Sequence, residues 1–281
     1  MGSDRSESCA LGGQHRRRSG KDSPRPESTP SKGGEFGPDP GDHRARRERT
    51  GQPVKDMFAA IAGRYDRLNS LLSLGLHHFW RRRTVTAAGL RQGATLLDLC
   101  SGTADLALAF VERGVRVVAT DFCDAMLVRG RQKAVIRDQA VDFALADAQR
   151  LPFRDASFDA VSVAFGLRNV DCLASSLGEI YRVLRPGGTA VVLEFGQPNG
   201  RLFGPLYRFY SRHLLPRIGG WLSGHSDAYT YLPRTAAVFP AGDRFLRVME
   251  KQNFTEMQAR PYTGGVVYVY RAIRPVRDDS H

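Results

Sequence analysis

The sequence predicts an α/β protein: a doubly wound, mostly parallel seven-stranded sheet with an antiparallel edge strand and a helical lid insertion. Three observations predict it. Residues 95–121, TLLDLCSGTADLALAFVERGVRVVATD, read as strand, glycine turn, helix and strand. Short apolar runs then alternate with helical patterns as far as residue 194, the rhythm of βαβ units. Residues 200–240 break that rhythm, and two further β-branched runs follow them.

Order is expected to begin near Pro53. Residues 1–52 are rich in Gly, Ser, Pro and Arg and nearly free of large apolar side chains, the composition of a disordered tail. Met57, Ile61, Tyr65 and Leu68 recur at helical spacing, and two short helices are expected to cap the front of the domain. Tyr65 and Trp80 read as core, and Arg81-Arg82-Arg83 as a solvated helix face. Strands follow at 95–100 and 115–120, with helices at 105–112 and 125–134. A third strand is expected at 141–145 and a fourth at 158–164. Asp171 is positioned to cap a helix over 172–184, which Pro186-Gly187-Gly188 stops. A fifth strand is expected at 189–194, a helix at 241–252, and final strands at 255–260 and 265–272. Within 200–240, Leu202, Leu206 and Phe209 share one helical face. Residues 276–281 read as a short tail.

Composition narrows the function classes. The 281 residues are 42% apolar, and no apolar run reaches the length of a membrane span. Cys9, Cys100, Cys123 and Cys172 show no C-x-x-C pairing or metal spacing, so no metal site is expected and a reducing cytoplasm is the simplest compartment. The net charge of +12 suits nucleic acid, an anionic membrane surface or an anionic substrate, and does not choose among them. A nucleic-acid partner is not expected, because the basic tail has a single aromatic, Phe36, to stack on bases.

The glycine turn is not a dinucleotide fingerprint, because G-x-G-x-x-G is missing. Gly102 would let a ligand approach the backbone, and Asp121, at the end of the second strand, is placed to accept hydrogen bonds from a ribose. A nucleoside ligand fits Asp98, Gly102, Thr103 and Asp121 better than a dinucleotide.

Several motifs give the chain a specific resemblance. They are Met57-Phe58, Tyr65-Asp66, Asn69, the stretch Ser73-Leu74-Gly75-Leu76-His77, and Trp80-Arg81. Phe165-Gly166-Leu167-Arg168-Asn169-Val170 is the sharpest, and Tyr262-Thr263-Gly264-Gly265 completes the set. On these residues the chain resembles the class I (Rossmann-like) S-adenosylmethionine-dependent methyltransferases. Within them it is similar to the quinone C-methyltransferases of menaquinone and ubiquinone biosynthesis.

The resemblance implies S-adenosyl-L-methionine as cofactor, with contacts at Thr103, Asp121, Asp147 and Ala148. It implies a polyprenylated quinol as substrate, with demethylmenaquinol converted to menaquinol. A ubiquinone-pathway benzoquinol and a phospholipid amine are the alternatives. Ala104 and Ala164 depart from the glycine and serine frequent in relatives. A ring carbon is a weak nucleophile until its neighbouring hydroxyl ionises. Arg168 is therefore a candidate to stabilise the phenolate, and His77 and Tyr65 to orient or deprotonate the ring hydroxyl. Plainer alternatives are an Arg168 ion pair with an acid and a helix-capping His77. The 200–240 segment, with Leu202, Leu206, Phe209, Tyr210 and Trp221, is expected to cover the prenyl tail or to touch the inner face of a membrane.

Overall fold

The computed structural model describes residues 42–198 and 235–276, with 42–50 described by backbone alone. The tails at 1–41 and 277–281 lie outside the described residues. So does the lid segment up to residue 234, including Leu202, Leu206, Phe209, Tyr210 and Trp221. Among the described residues no helix is long and apolar enough to cross a membrane.

Three helices precede the sheet: α1 (Asp42–Ile61), α2 (Tyr65–Leu72) and α3 (Leu76–Ala88). The sequence suggests two. The Met57–Leu68 run that reads as one helix is interrupted by a turn at residues 62–64, and Gly75, at φ +75°, then separates α2 from α3. Helix α1 carries Pro53 within it and starts eleven residues earlier, at Asp42.

The strands and their helices alternate as expected. They are β1 (Thr95–Leu99), α4 (Asp105–Val111), β2 (Arg116–Asp121), α5 (Asp124–Ile136), β3 (Asp142–Leu145) and β4 (Phe158–Ala164). Helix α6 (Leu173–Val183), β5 (Leu184–Phe195), α7 (Asp243–Glu250), β6 (Thr255–Tyr262) and β7 (Val267–Ile273) complete the fold. Cys172, rather than Asp171, takes the N-cap position of α6. Pro186-Gly187-Gly188 ends the helical run but lies inside β5, where the register with β4 shifts between Leu184 and Thr189. That is a bulge, which tolerates glycine and proline.

The seven strands form one sheet in the order β3-β2-β1-β4-β5-β7-β6. β1 to β5 are parallel, and β7 runs antiparallel between β5 and the outermost strand β6. Both faces of the sheet are covered, so the central strands are apolar almost throughout. Leu97, Leu99, Val161 and Val163 pack toward α6 and α7, against Leu177, Ile180 and Phe245. Leu96, Val117, Val191 and Leu193 pack on the other face, against Trp80, Ala107 and Phe110. Phe239, at the end of the lid segment, is buried in the first of these layers.

The chain leaves β1 toward β2 on one side and returns as β4 on the other. The carboxyl ends of β1 and β4 therefore flank the switch point, where open α/β sheets bind ligands.

Candidate active site

A small, partly open cleft lies at this switch point. It is lined by Asp98, by Cys100 to Thr103, by Ala164 and Phe165 at the end of β4, and by Tyr65 and Arg81 from the front helices. The backbone is bent sharply on both sides of it. Cys100 has φ +51° and Phe165 φ +58°, left-handed values that cost a non-glycine residue about 1–2 kcal/mol each. Gly166 makes the closest approach. A Cβ there would lie 2.3 Å from Cys100 Cβ and 2.8 Å from its Sγ. Gly166→Ala will therefore push the 165–168 segment off β1. A drop in stability of about 1–3 kcal/mol, read by chemical denaturation, is expected.

Asp98 sits in the floor at 1% exposure. Ser162 Oγ donates to its Oδ1, while its Oδ2 is buried and has no partner among the described residues. Burial is the main reason its carboxyl is pushed up to about 7. Ser101 Oγ is likewise buried without a partner. Asp121 accepts from the backbone N–H of Gly102 at 2.9 Å and of Cys123 at 2.9 Å, which fixes both carboxylate oxygens beside the glycine turn. Burial raises its pKa, and those backbone donors oppose the rise. Gly102 has φ +55°, and a Cβ there would stand 4.0 Å from the Tyr65 ring. Ala104 caps α4 in the left-handed region, at φ +65°.

Beyond β2, Ala146 N donates to Asp121 O, and this brings the Asp147-Ala148 pair to the same end of the sheet. Asp147 is exposed, and its Oδ1 accepts from Gln149 N at 2.8 Å. Ala148 is buried.

Two of the three residues read as reaction candidates are held elsewhere. Arg168 makes a buried ion pair: its Nη1 lies 3.0 Å from Glu194 Oε1, with side-chain exposures of 5% and 0%. The same nitrogen donates to Phe165 O, and the guanidinium lies over the Phe195 ring. The acid pairing that the sequence left open is the arrangement observed, and Arg168 does not line the cleft. His77 is also outside the lining, at 3% exposure. Its Nδ1 accepts from Arg81, and its Nε2 lies 3.0 Å from Ser70 Oγ. Burial and the adjacent Arg81 lower its pKa to about 4, so it is neutral at physiological pH. Tyr65 does face the cleft, and burial raises its pKa, so its hydroxyl stays protonated.

The cation in the lining is Arg81, read from sequence as part of a solvated face. It is buried, bonded to His77 and 3.4 Å from Asp105 Oδ2. Asp105 also holds Lys133, which reaches Asp66 Oδ2 at 3.0 Å and Thr103 Oγ1 at 3.1 Å. Thr103 Oγ1 in turn donates to Asp66 Oδ1 at 2.5 Å. One polar network thus fastens α2 and α3 to the glycine turn. Arg81 and Lys133 together outweigh burial and lower the Asp105 pKa. Asp66 and Arg81 stood in the motifs quoted from the sequence. Lys133 and Glu194 carried no such signal.

The described chemistry suits a cationic nucleoside with an amino-acid end. Among the described residues a buried carboxylate oxygen on Asp98 has no partner, and a second carboxylate, Asp121, stands at the end of β2. Comparison with known proteins agrees. The model of the ubiE/COQ5 methyltransferase family matches residues 44–274. The chain is 42% identical over 222 residues to a ubiquinone/menaquinone biosynthesis C-methyltransferase UbiE of Bdellovibrio bacteriovorus, covering 78% of this chain and 94% of that protein. It is 46% identical over 221 residues to a demethylmenaquinone methyltransferase of Thermus thermophilus, covering 78% of this chain and all of that one. A solved SAM-dependent methyltransferase of Thermotoga maritima shares the fold, with TM-score 0.55, 19% identity, and coverage of 78% and 98%. With 231 of its residues matched by the family model and full-length relatives above 40% identity, the chain belongs to the ubiE/COQ5 methyltransferase family.

Proposed function

We propose that this enzyme methylates a ring carbon of a polyprenylated quinol, converting demethylmenaquinol to menaquinol. S-adenosylmethionine, when bound, supplies a methyl group on a cationic sulfur. The observation that carries the reading is the pair of buried, unpartnered oxygens, Asp98 Oδ2 and Ser101 Oγ, in a cleft at the β1–β4 switch point. Asp98 would hold the ammonium of the cofactor. The free lone pairs of Asp121 would take the ribose hydroxyls, and Asp147 with Ala148 would meet the adenine. Gly102 and Thr103 form the turn beneath the amino-acid end.

The chain's own contribution to the chemistry is orientation and charge. A phenol ionises near ~10, so a neighbouring cation must favour the phenolate. Arg81, in the cleft lining, is that cation, and neutral His77 orients it by accepting its hydrogen bond. Tyr65, protonated, donates to a ring oxygen rather than taking its proton. Arg168 acts through its ion pair with Glu194, holding the 165–169 segment over the cleft. The remaining rate comes from holding methyl and carbon in line. The prenyl tail of the substrate implies peripheral contact with a membrane surface.

The test is a methyl-transfer assay. Purified protein receives S-adenosylmethionine and, in detergent, reduced demethylmenaquinol or the corresponding benzoquinol, with products read by mass spectrometry. Methylated naphthoquinol is the expected product. Methylation of the benzoquinol alone would move the substrate to the ubiquinone pathway. Methylation of neither, with cofactor bound, would overturn the quinol reading.

A further inference from the structure

Helices α2 and α3 meet in a corner whose outer surface the reaction does not use. Leu71 is 49% exposed, Leu74 81%, Leu76 38% and Phe79 41%, four large apolar side chains within nine residues. The corner is built rather than frayed. Ser73 Oγ donates to Asn69 O at 2.6 Å, Gly75 N to Ser70 O at 2.7 Å, and Leu76 N to Ser73 O at 3.0 Å. Leu74 stands at φ +51°, a conformation that asparagine or glycine adopts at lower cost. Among the described residues, none covers its side chain, which is 81% exposed.

Charge follows the apolar tip in both helices. On α2, Arg67 lies four residues before Leu71, and on α3, Arg83 lies four residues after Phe79, each about 6 Å back along its axis. Arg67, Arg82 and Arg83 are exposed, and the Arg83 guanidinium lies 5.0 Å from the Phe79 ring centroid. Residues 64–88 hold five arginines and one acid, Asp66, which Lys133 already pairs. An apolar tip with arginines one turn behind it matches the depth profile of an anionic bilayer. The apolar side chains reach about 5–10 Å into the headgroup and acyl boundary, and the arginines meet the phosphates.

We propose that the α2–α3 corner docks the enzyme on a bilayer carrying anionic lipid. The inference rests on the quinol reading, since a prenylated substrate resides in the bilayer. Tyr65 and Arg81 of the same two helices line the cleft, so docking brings the cleft's roof to the membrane.

The experiment is vesicle co-sedimentation of the full chain, without quinol, on phosphatidylcholine alone and on phosphatidylcholine with phosphatidylglycerol. The full chain is expected on the anionic vesicles. Leu71→Gln with Leu74→Asn suits the native backbone, and it should lower partitioning about tenfold or more. Arg82→Gln with Arg83→Gln should cost roughly fivefold per arginine on anionic vesicles and nothing on neutral ones. Methyl transfer to a short-tailed, water-soluble quinol should be unchanged in the leucine variant. Failure of the unaltered chain to bind, or equal binding by the leucine variant, overturns the inference. So does a dimer, seen by analytical ultracentrifugation, that the leucine variant dissolves, because a second copy would then be the occupant. Vesicle binding without methyl transfer to any quinol leaves the docking intact and overturns only the reaction.

Discussion

Arg168→Met will cost the fold about 3–5 kcal/mol, because it leaves Glu194 buried without its cation. Glu194 is fully buried. It accepts from Phe195 N at 2.9 Å and from Arg168 N at 3.3 Å, but its charge is balanced by the Arg168 guanidinium. Burial already raises its pKa against that attraction. With the arginine gone, Glu194 will take up a proton and the 165–169 segment will loosen. The double variant Arg168→Met with Glu194→Gln removes both charges and should recover most of the stability in urea denaturation. That variant also separates the two roles of Arg168. Cofactor binding with turnover retained would make the residue a positioning group. Cofactor binding with turnover lost would return it to the reaction, as its place in the FGLRNV motif suggests.

Asp98→Asn will weaken S-adenosylmethionine binding by about 30-fold or more, the cost of deleting one partner of a buried charge pair. The same substitution will stabilise the ligand-free protein at alkaline pH. Asp98 titrates near 7 in the fold, against an ordinary carboxyl value of 3.8. Between these pH values the folded chain keeps a proton that the unfolded chain has lost. Stability conferred at low pH therefore declines as pH rises toward 7, and levels off above it. Asparagine cannot ionise, so the variant lacks this decline, and at pH 8 it should gain about 1–4 kcal/mol. Below about pH 3.5, under both values, the gain should nearly vanish. Cofactor affinity of the unaltered protein should also weaken below pH 7, because the ammonium requires ionised Asp98. Calorimetric titration from pH 5.5 to 8 checks this. Equal affinity across that range would remove Asp98 from the ammonium site.

The strands were legible because parallel strands covered on both faces are continuous apolar runs. Residues 158–164 form β4 with the boundaries read from the sequence, and 95–99 form β1. Boundaries slipped where local signals compete. Pro186-Gly187-Gly188 reads as a break, yet β5 runs across it, held by Gly187 N donating to Arg274 O and Arg274 N to Gly188 O just past the end of β7. The front helices number three because a turn at residues 62–64 breaks the helix where the apolar spacing of Ile61, Tyr65 and Leu68 continues it. Asp98, Gly102 and Asp121 could be read as neighbours because a glycine turn between a strand and a helix gathers polar groups at the strand ends, and Gly102 N does donate to Asp121.

The sequence by itself determined the sheet, the glycine turn and the family motifs, since each is written in residues close along the chain. Only the tertiary structure decided which charges meet. Glu194 lies 26 residues from Arg168, Lys133 lies 67 from Asp66, and Asp105 lies 24 from Arg81. Periodicity has no reach over such separations. Folding pairs Arg168 with an acid, turns His77 into an acceptor for Arg81, and brings Arg81 from an apparently solvated run into the cleft. A charge leaves water only where a partner receives it, and where that partner stands is a property of the packed sheet.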